Sequence, residues 1–256
     1  MTVPSATEAM RFTPQMYMDY HVRLTGVPIE EMGVAPTVII TWFRSVFSLI
    51  TSAIDGKPLT SAPFPNARSG VFGETRTPVT VIQCPIGAPG TIAVMEELIA
   101  CGARRFIGVG AAGSLQPDNR VGTILIPDVC VRDEGTSRHY VPSDATVAAH
   151  PSLRNRVAQS AVGLGLSAVV GPHWTTDAIY RESVADITQH REAGVLGVDM
   201  ETSAMYAVGE FRDVEVANVL AVSDELWHEW NPAFGTEILN AALQRASEIA
   251  LKAAED

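Results

Sequence analysis

Two carboxylates in the C-terminal third of the sequence sit where they could work on one small molecule. The first is Glu201, in Gly197-Val198-Asp199-Met200-Glu201-Thr202-Ser203-Ala204, just ahead of small residues that read as a helix. The second is Asp224, in Val222-Ser223-Asp224, at the end of an apolar strand pattern. One carboxylate offers two acceptor oxygens to a pair of vicinal sugar hydroxyls. The other can manage a proton on a departing base. The two lie about twenty residues apart, the length of one strand–helix–strand repeat. Successive strands of a parallel sheet end at one edge, so both acids are expected in one crevice. Each has a plainer reading too. Glu201 also suits the first turn of a helix, where the macrodipole favours an acid. Asp224 also suits a helix N-cap before Glu225-Leu226-Trp227-His228.

The elements that must position these acids follow from periodicity. Buried-strand patterns are predicted at 37–40, 69–73, 79–83, 105–109, 121–131, from 168 onward, and at 215–223. Helical patterns are predicted at 43–54, 91–102, 151–165, 182–193, 202–210 and 236–253, after an N-terminal arm at 1–33 with one short helix. Strands alternating with helices indicate an α/β fold with a twisted, mainly parallel sheet flanked by helices. No repeat, linker or low-complexity run divides the chain, so residues 1–256 are read as one domain.

Composition narrows the function classes. A net charge of −11 over 256 residues argues against a nucleic-acid surface. A small anionic substrate is still compatible, because a few placed Arg residues suffice to hold it. Cys84, Cys101 and Cys130 are odd in number and sit in apolar stretches, which suits free thiols in a reducing cytoplasm. No Cys–His spacing fits zinc. The start has no basic segment followed by an apolar run, so no signal peptide is expected. The apolar stretch 34–54 is interrupted by Pro36 and Arg44, so no membrane span is expected.

Gly108-Val109-Gly110-Ala111-Ala112-Gly113 follows a strand and fits the dinucleotide-binding spacing. That reading needs a helix to open at the turn, and Pro117-Asp118-Asn119 is turn chemistry instead. A plain tight turn and a turn whose backbone approaches a ligand are the other two readings.

The longer stretch Ile107-Gly108-Val109-Gly110-Ala111-Ala112-Gly113-Ser114-Leu115-Gln116-Pro117 resembles the central signature of the nucleoside phosphorylase/nucleosidase superfamily, in its uridine and hexameric purine nucleoside phosphorylase branch. Further matches come in the same order: Tyr20-His21-Val22-Arg23-Leu24-Thr25, Asn66-Ala67-Arg68-Ser69-Gly70, Gly87-Ala88-Pro89-Gly90, Glu134 to Tyr140, Thr176 to Tyr180, and the two acidic motifs. The resemblance implies a single-domain phosphorylase/hydrolase-like fold, with a twisted mixed β-sheet flanked by helices. It implies that Glu201 accepts hydrogen bonds from the ribose 2′- and 3′-hydroxyls, with Met200 against the sugar. It implies that Asp224 serves purine N7. The Gln/Arg pair of the uridine-specific branch has no match after Tyr180, so a purine-type base is expected. Trp174, Ile179, Tyr180 and Val198 are the implied base-pocket walls, with Ala112 and Gly113 on the substrate. His21 would reach a partner's nucleoside, and Arg68 a neighbour's phosphate, so a homo-oligomer (dimer or hexamer) with a shared active site is implied. Arg44, Arg68 and Ala111 are the implied phosphate ligands. No cofactor is implied beyond phosphate as co-substrate.

The departures from that family pattern concern the phosphate. Gly108 and Ala111 stand where its phosphorylases carry an Arg and a Ser or Thr, and Thr41-Trp42-Phe43-Arg44 replaces a Gly-Asp-Pro loop. Each missing charge-assisted bond is worth about 1.5–3 kcal/mol. Trp227, His228, Glu229, Trp230 and Pro232 occupy the lid, without the Arg that assists the base-side acid. Phosphorolysis of a purine-type nucleoside is therefore the first expectation. Hydrolysis, with Glu201 or His139 orienting water, is the second, and a non-catalytic nucleoside-binding protein the third.

Overall fold

The computed structural model of the chain describes residues 10–59, 64, 69–74 and 78–255, of which 69–74 by backbone alone. Asn66, Ala67 and Arg68 therefore lie outside the described residues, as does the beginning of the N-terminal arm. Strands are β1 (Thr37–Thr41), β2 (Lys57–Pro58), β3 (Ser69–Glu74), β4 (Pro78–Gln83), β5 (Arg105–Ser114), β6 (Ile124–Asp133), β7 (Val147–Ala148), β8 (Val169–Thr176), β9 (Gly197–Asp199), β10 (Glu215–Glu225) and β11 (Asn231–Pro232). Helices are α1 (Pro14–Thr25), α2 (Arg44–Ala53), α3 (Ala88–Ala100), α4 (Pro151–Gly163), α5 (Val184–Glu192), α6 (Thr202–Arg212) and α7 (Glu237–Glu255).

Local chemistry sets several boundaries. In α1, Thr13 accepts the Met16 N–H, Pro14 opens the first turn and Gly26 closes the helix at φ 71°, a left-handed cap that glycine adopts without strain. Ser183 caps α5 by accepting from the Asp186 N–H. The predicted start of that helix at 182 is thus two residues early, and Glu182 is left in the connection.

The sheet runs β11-β10-β6-β8-β9-β5-β1-β4-β3-β2, with a further β10–β5 pairing. That pairing closes β10, β6, β8, β9 and β5 into a ring. Closure gives these strands partners on both sides, which removes exposed edges. Val38, Ile39 and Ile40 of β1, Phe106, Ile107 and Val109 of β5 and the inward face of α7 are buried in one continuous core.

Two sequence expectations change here. First, β9 runs antiparallel to β5 while β10 runs parallel to it. The two acids are therefore not brought together by a common parallel edge. They meet because β9 and β10 flank the same end of β5: Gly113 is paired with Val198 on one side and with Asp224 on the other. Second, the glycine-rich stretch is not a turn. β5 continues through it to Ser114, and Gly108, Gly110 and Gly113 all keep ordinary negative-φ backbone. What they supply is room. A Cβ would lie 2.3 Å from Asn218 Oδ1 at Gly108, 2.7 Å from the Trp42 ring at Gly110 and 2.6 Å from Leu226 Cδ1 at Gly113. No helix opens at this segment, which removes the dinucleotide reading together with the tight-turn one.

Candidate active site

A cavity of about 650 Å³ opens at the end of β5. Its floor is Ala111, Ala112 and Gly113 of β5; one side is Val198, Asp199, Met200 and Glu201, and the other is Ser223 and Asp224 of β10. Consecutive residues of a regular strand face opposite ways, yet Ser223 and Asp224 both line the cavity. The pairing of β10 with β5 shifts register between Val222 and Asp224, and such an extra residue re-aims the side chains around it. Asp224 is thus a strand residue at a bulge, and the helix-cap reading falls.

Glu201 is the N-cap residue of α6, with φ −138° and ψ −33°, and its side chain makes no capping bond. Its carboxylate accepts instead from the Gly87 N–H at 2.5 Å. Gly87 has φ 102° and ψ 146°, a backbone shape open to glycine and strained for other residues. Glu201 is 5% exposed. Burial first, and then the charge of Asp199, push its carboxyl up to about 8, against the pull of the Gly87 and Met200 N–H groups. Asp199 is the opposite case. Burial works against its ionisation, but the nearby His173 (Nε2 to Oδ1 3.6 Å) and hydrogen bonds from Thr202 and Thr175 hold it below the ordinary carboxylate range. The Thr175 hydroxyl donates to Asp199 at 2.8 Å, and Thr202 donates through both its hydroxyl and its N–H. Asp199 anchors the start of α6 and so fixes where Glu201 stands.

On the other side, Asp224 Oδ1 accepts from the Ser223 hydroxyl at 2.7 Å and Oδ2 from the Trp230 indole N–H at 2.9 Å. Trp230 thereby ties the segment after β10 to the cavity. Trp227 does not line it; its ring lies under the Arg120 guanidinium, 5.5 Å from the centroid. Ile179, Tyr180, Glu182, Ile187, Trp42, Phe43, Ile86, Leu226 and Phe234 complete the lining.

Of the sequence-predicted site residues, Glu201, Asp224, Met200, Val198, Ile179, Tyr180, Ala111, Ala112 and Gly113 share this cavity. Trp174 does not. It is 1% exposed, packs with Leu115, Val195 and Val198, and its ring lies 4.6 Å from that of His190, so it is core behind the wall. Arg44 begins α2 with an exposed side chain, and only its neighbours Trp42 and Phe43 reach the cavity. His21 lies on α1, away from the walls formed by its own chain. Arg138 and His139 are exposed and away from it too. Glu134, in the expected ribose-side loop, is turned inward: its oxygens accept from the Ser203 hydroxyl at 3.0 Å and the Ser137 N–H at 2.8 Å. Glu182, Ile86, Ile187 and Phe234 went unnoticed in the sequence. Glu182 gave one usable signal, since an acid directly before a Ser N-cap lies outside the helix it precedes.

The described lining holds four carboxyl groups, Glu182, Asp199, Glu201 and Asp224, and no Lys, Arg or His. Around them the walls are aliphatic and aromatic. That combination suits a flat, neutral or electron-poor ring with hydroxyl and N–H donors along its edges.

Comparison with known proteins bears on the same segment of chain. Residues 38–255 match the Phosphorylase superfamily. The chain is 32% identical over 157 residues to a uridine phosphorylase of Treponema pallidum (strain Nichols), a match covering 57% of this chain and 61% of that one. It therefore spans about three fifths of that relative's length. It is likewise 32% identical over 164 residues to a DeoD-type purine nucleoside phosphorylase of Bacillus cereus, covering 62% of this chain and 70% of that one. Among solved structures, the uridine phosphorylase of Vibrio fischeri ES114 complexed with 6-hydroxy-1-naphthoic acid superposes with a TM-score of 0.75 at 27% identity, over 88% of this chain and 92% of that one. The matched range takes in both acids, the β5 glycines packed between them and the ring of strands that carries all three, and on that ground the chain belongs to the Phosphorylase superfamily.

Proposed function

We propose that this protein breaks the N-glycosidic bond of a purine-type nucleoside. The observation that carries the reading is the cavity itself, with Glu201 and Asp224 on opposite sides of the β5 floor. Glu201 takes the ribose 2′- and 3′-hydroxyls on its two oxygens and, when ionised, offsets positive charge growing on the sugar as the bond breaks. Met200 lies beside it against the sugar. The base lies among Ile179, Tyr180 and Val198, with the carboxyls of Asp224 and Glu182 along its edge. Two N–H-accepting carboxyls without a described amide or guanidinium beside them favour a purine over uracil. The chemistry needs no cofactor beyond the nucleophile.

Phosphate is the nucleophile that family membership suggests, giving free base and ribose 1-phosphate. One chain offers it little: no described lining residue is cationic, and the Trp42 ring, held by its N–H to the Thr91 hydroxyl at 2.8 Å, covers Gly110. Neighbouring copies are therefore assigned the cations, Arg68 and His21, in a dimer or hexamer. The exposed apolar row Phe12, Met16, Tyr20 and Leu24, spaced every fourth residue on and before α1, supports such an interface. Sedimentation at assay concentration is expected to give a dimer or larger; a fully active monomer would remove His21 and Arg68 from the site. The same bare anion site favours a second reading, in which water replaces phosphate. Incubation with adenosine, inosine, guanosine and uridine, with and without phosphate, separates the two. Ribose 1-phosphate formed only with phosphate supports phosphorolysis. Free ribose at saturating phosphate supports hydrolysis, and tight binding with no cleavage of any nucleoside would leave a binding protein.

A further inference from the structure

The stretch after β10 holds two aromatic side chains at the cavity and leaves them in water. Trp230 and Phe234 both line the cavity, yet they are 63% and 57% exposed. Neither belongs to a loose loop. Between them lies β11, which pairs with the end of β10 as Asp224↔Pro232 and Glu225↔Asn231. The Ala233 N–H donates to the Ser223 carbonyl at 3.0 Å, and the Thr236 hydroxyl donates to the Ala233 carbonyl at 2.7 Å. The Trp230 indole N–H donates to Asp224 Oδ2 at 2.9 Å, so its ring stands beside that acid. Apolar surface that the backbone holds in contact with water is unfavourable unless something covers it. This pair is continuous with the cavity, so a ligand seated there can reach it. Charge narrows the chemistry of that ligand. The carboxyls of Glu182, Asp199, Glu201 and Asp224, with no described Lys, Arg or His in the lining, repel an anionic group. The two rings carry no charge to pair with a cationic one.

We propose that the base of the substrate carries an uncharged, apolar substituent, which leaves the cavity past Asp224 and rests on the rings of Trp230 and Phe234. This rests on the nucleoside-cleaving reading above, which sets the base beside Asp224. Trp230 then has two roles. Its N–H holds Asp224 Oδ2, and its ring, with that of Phe234, takes the substituent out of water. The two roles separate on substitution: Phe at this position keeps a ring and loses the N–H, whereas Ala loses both. The substituent is bound by area, not by hydrogen bonds. Burying most of one aromatic ring is worth roughly 10–100-fold in affinity. A plain nucleoside leaves the two rings wet and forgoes that gain. A second copy of the chain seated on the same rings would instead shut the substituent out.

The test measures kcat/KM, with and without phosphate, for adenosine against N⁶-benzyladenosine and for guanosine against N²-benzylguanosine. The wild type is compared with Trp230→Phe, Trp230→Ala and Phe234→Ala, with thermal melts confirming folding. Phe234 is more than half exposed, so truncating it opens no core. At least one benzyl nucleoside is expected to exceed its parent by roughly tenfold or more. Trp230→Phe should lower both members of that pair alike and keep their ratio, because only the N–H to Asp224 is lost. Trp230→Ala and Phe234→Ala should each bring the ratio down, to within about threefold of one. The charged counterparts, N⁶-carboxymethyladenosine and N⁶-(2-aminoethyl)adenosine, should gain nothing over adenosine. Benzyl nucleosides cleaved no better than their parents would overturn the proposal and leave the nucleoside-cleaving reading in place. A benzyl preference that survives Phe234→Ala, or a larger preference for a charged substituent, would overturn it too. Failure to cleave any of these nucleosides would refute the nucleoside-cleaving reading itself, and the substituent assignment with it.

Discussion

Glu201→Gln is expected to lower turnover by roughly 10²–10⁴-fold and, at pH 8, to raise the melting temperature. The activity loss, read above about pH 8 where the carboxyl is ionised, follows from replacing two charge-assisted sugar contacts by weaker ones, at about 1.5–3 kcal/mol each, with about 1.4 kcal/mol per factor of ten in rate. The stability gain follows from burial. In the folded protein Glu201 is pushed up to about 8 from an ordinary value of 4.5. Between those two pH values the folded state keeps a proton that the unfolded chain releases. Stability therefore falls as pH rises through this window, and the penalty is complete above about pH 8. Gln keeps the shape and has no proton to lose. The gain is at most a few kcal/mol, or roughly 2–4 °C for each kcal/mol in a chain of this size. At pH 4 the two proteins should melt alike. Steady-state kinetics and calorimetry at both pH values check the pair of effects. Near-normal turnover would remove Glu201 from the sugar, and a lower melting temperature at pH 8 would mean that its carboxylate is a structural acceptor for Gly87 above all else.

The second large effect concerns the phosphate question. Gly108→Arg restores, in sequence, the guanidinium expected of a phosphorylase at this position, and is expected to destabilise the protein rather than improve phosphate binding. The first side-chain carbon alone would stand 2.3 Å from Asn218 Oδ1. Asn218 is fully buried. Its amide donates to the Thr202 hydroxyl at 2.7 Å, and its oxygen accepts from the Gly108 N–H at 3.2 Å. Thr202 in turn holds Asp199. Displacing Asn218 overpacks the core, for about 1–3 kcal/mol, and orphans buried polar groups, for about 1–3 kcal/mol more. A loss of about 3 kcal/mol corresponds to roughly 6–12 °C in melting temperature. A variant melting within about 2 °C of the parent, with tighter phosphate binding, would show that Asn218 can step aside. By contrast Ala111 lines the cavity, so Ala111→Ser is the change by which a phosphate contact can be added without disturbing the core.

The sequence by itself determined a good deal of this protein. Alternating strand and helix patterns are local properties, and they located the helices and the buried strands of an α/β domain to within a few residues. The two acids stood out because each sits at the boundary of an element, where chemistry is placed more often than packing. The ordered motifs around them, read together, reached the family that residues 38–255 match.

Tertiary structure decided the rest, for reasons that no local pattern contains. The β5 glycines look like turn residues, but they exist because Asn218, Trp42 and Leu226, remote in sequence, press on the strand. The short strand β9 has too few residues to show a period, yet its antiparallel pairing puts Val198 beside Gly113 and so brings Glu201 to the site. Trp174 has the composition of a pocket wall, but it points into the cluster with Leu115 and Val195. Alternation along a strand tells which residues share a face; it does not tell which face meets a cavity. The cap at Ser183 placed Glu182 outside its helix, but only the folded chain puts it in the cavity into which the bulge at Ser223 turns Asp224. Charge and burial are sums over everything nearby, and only the folded chain brings the contributors together.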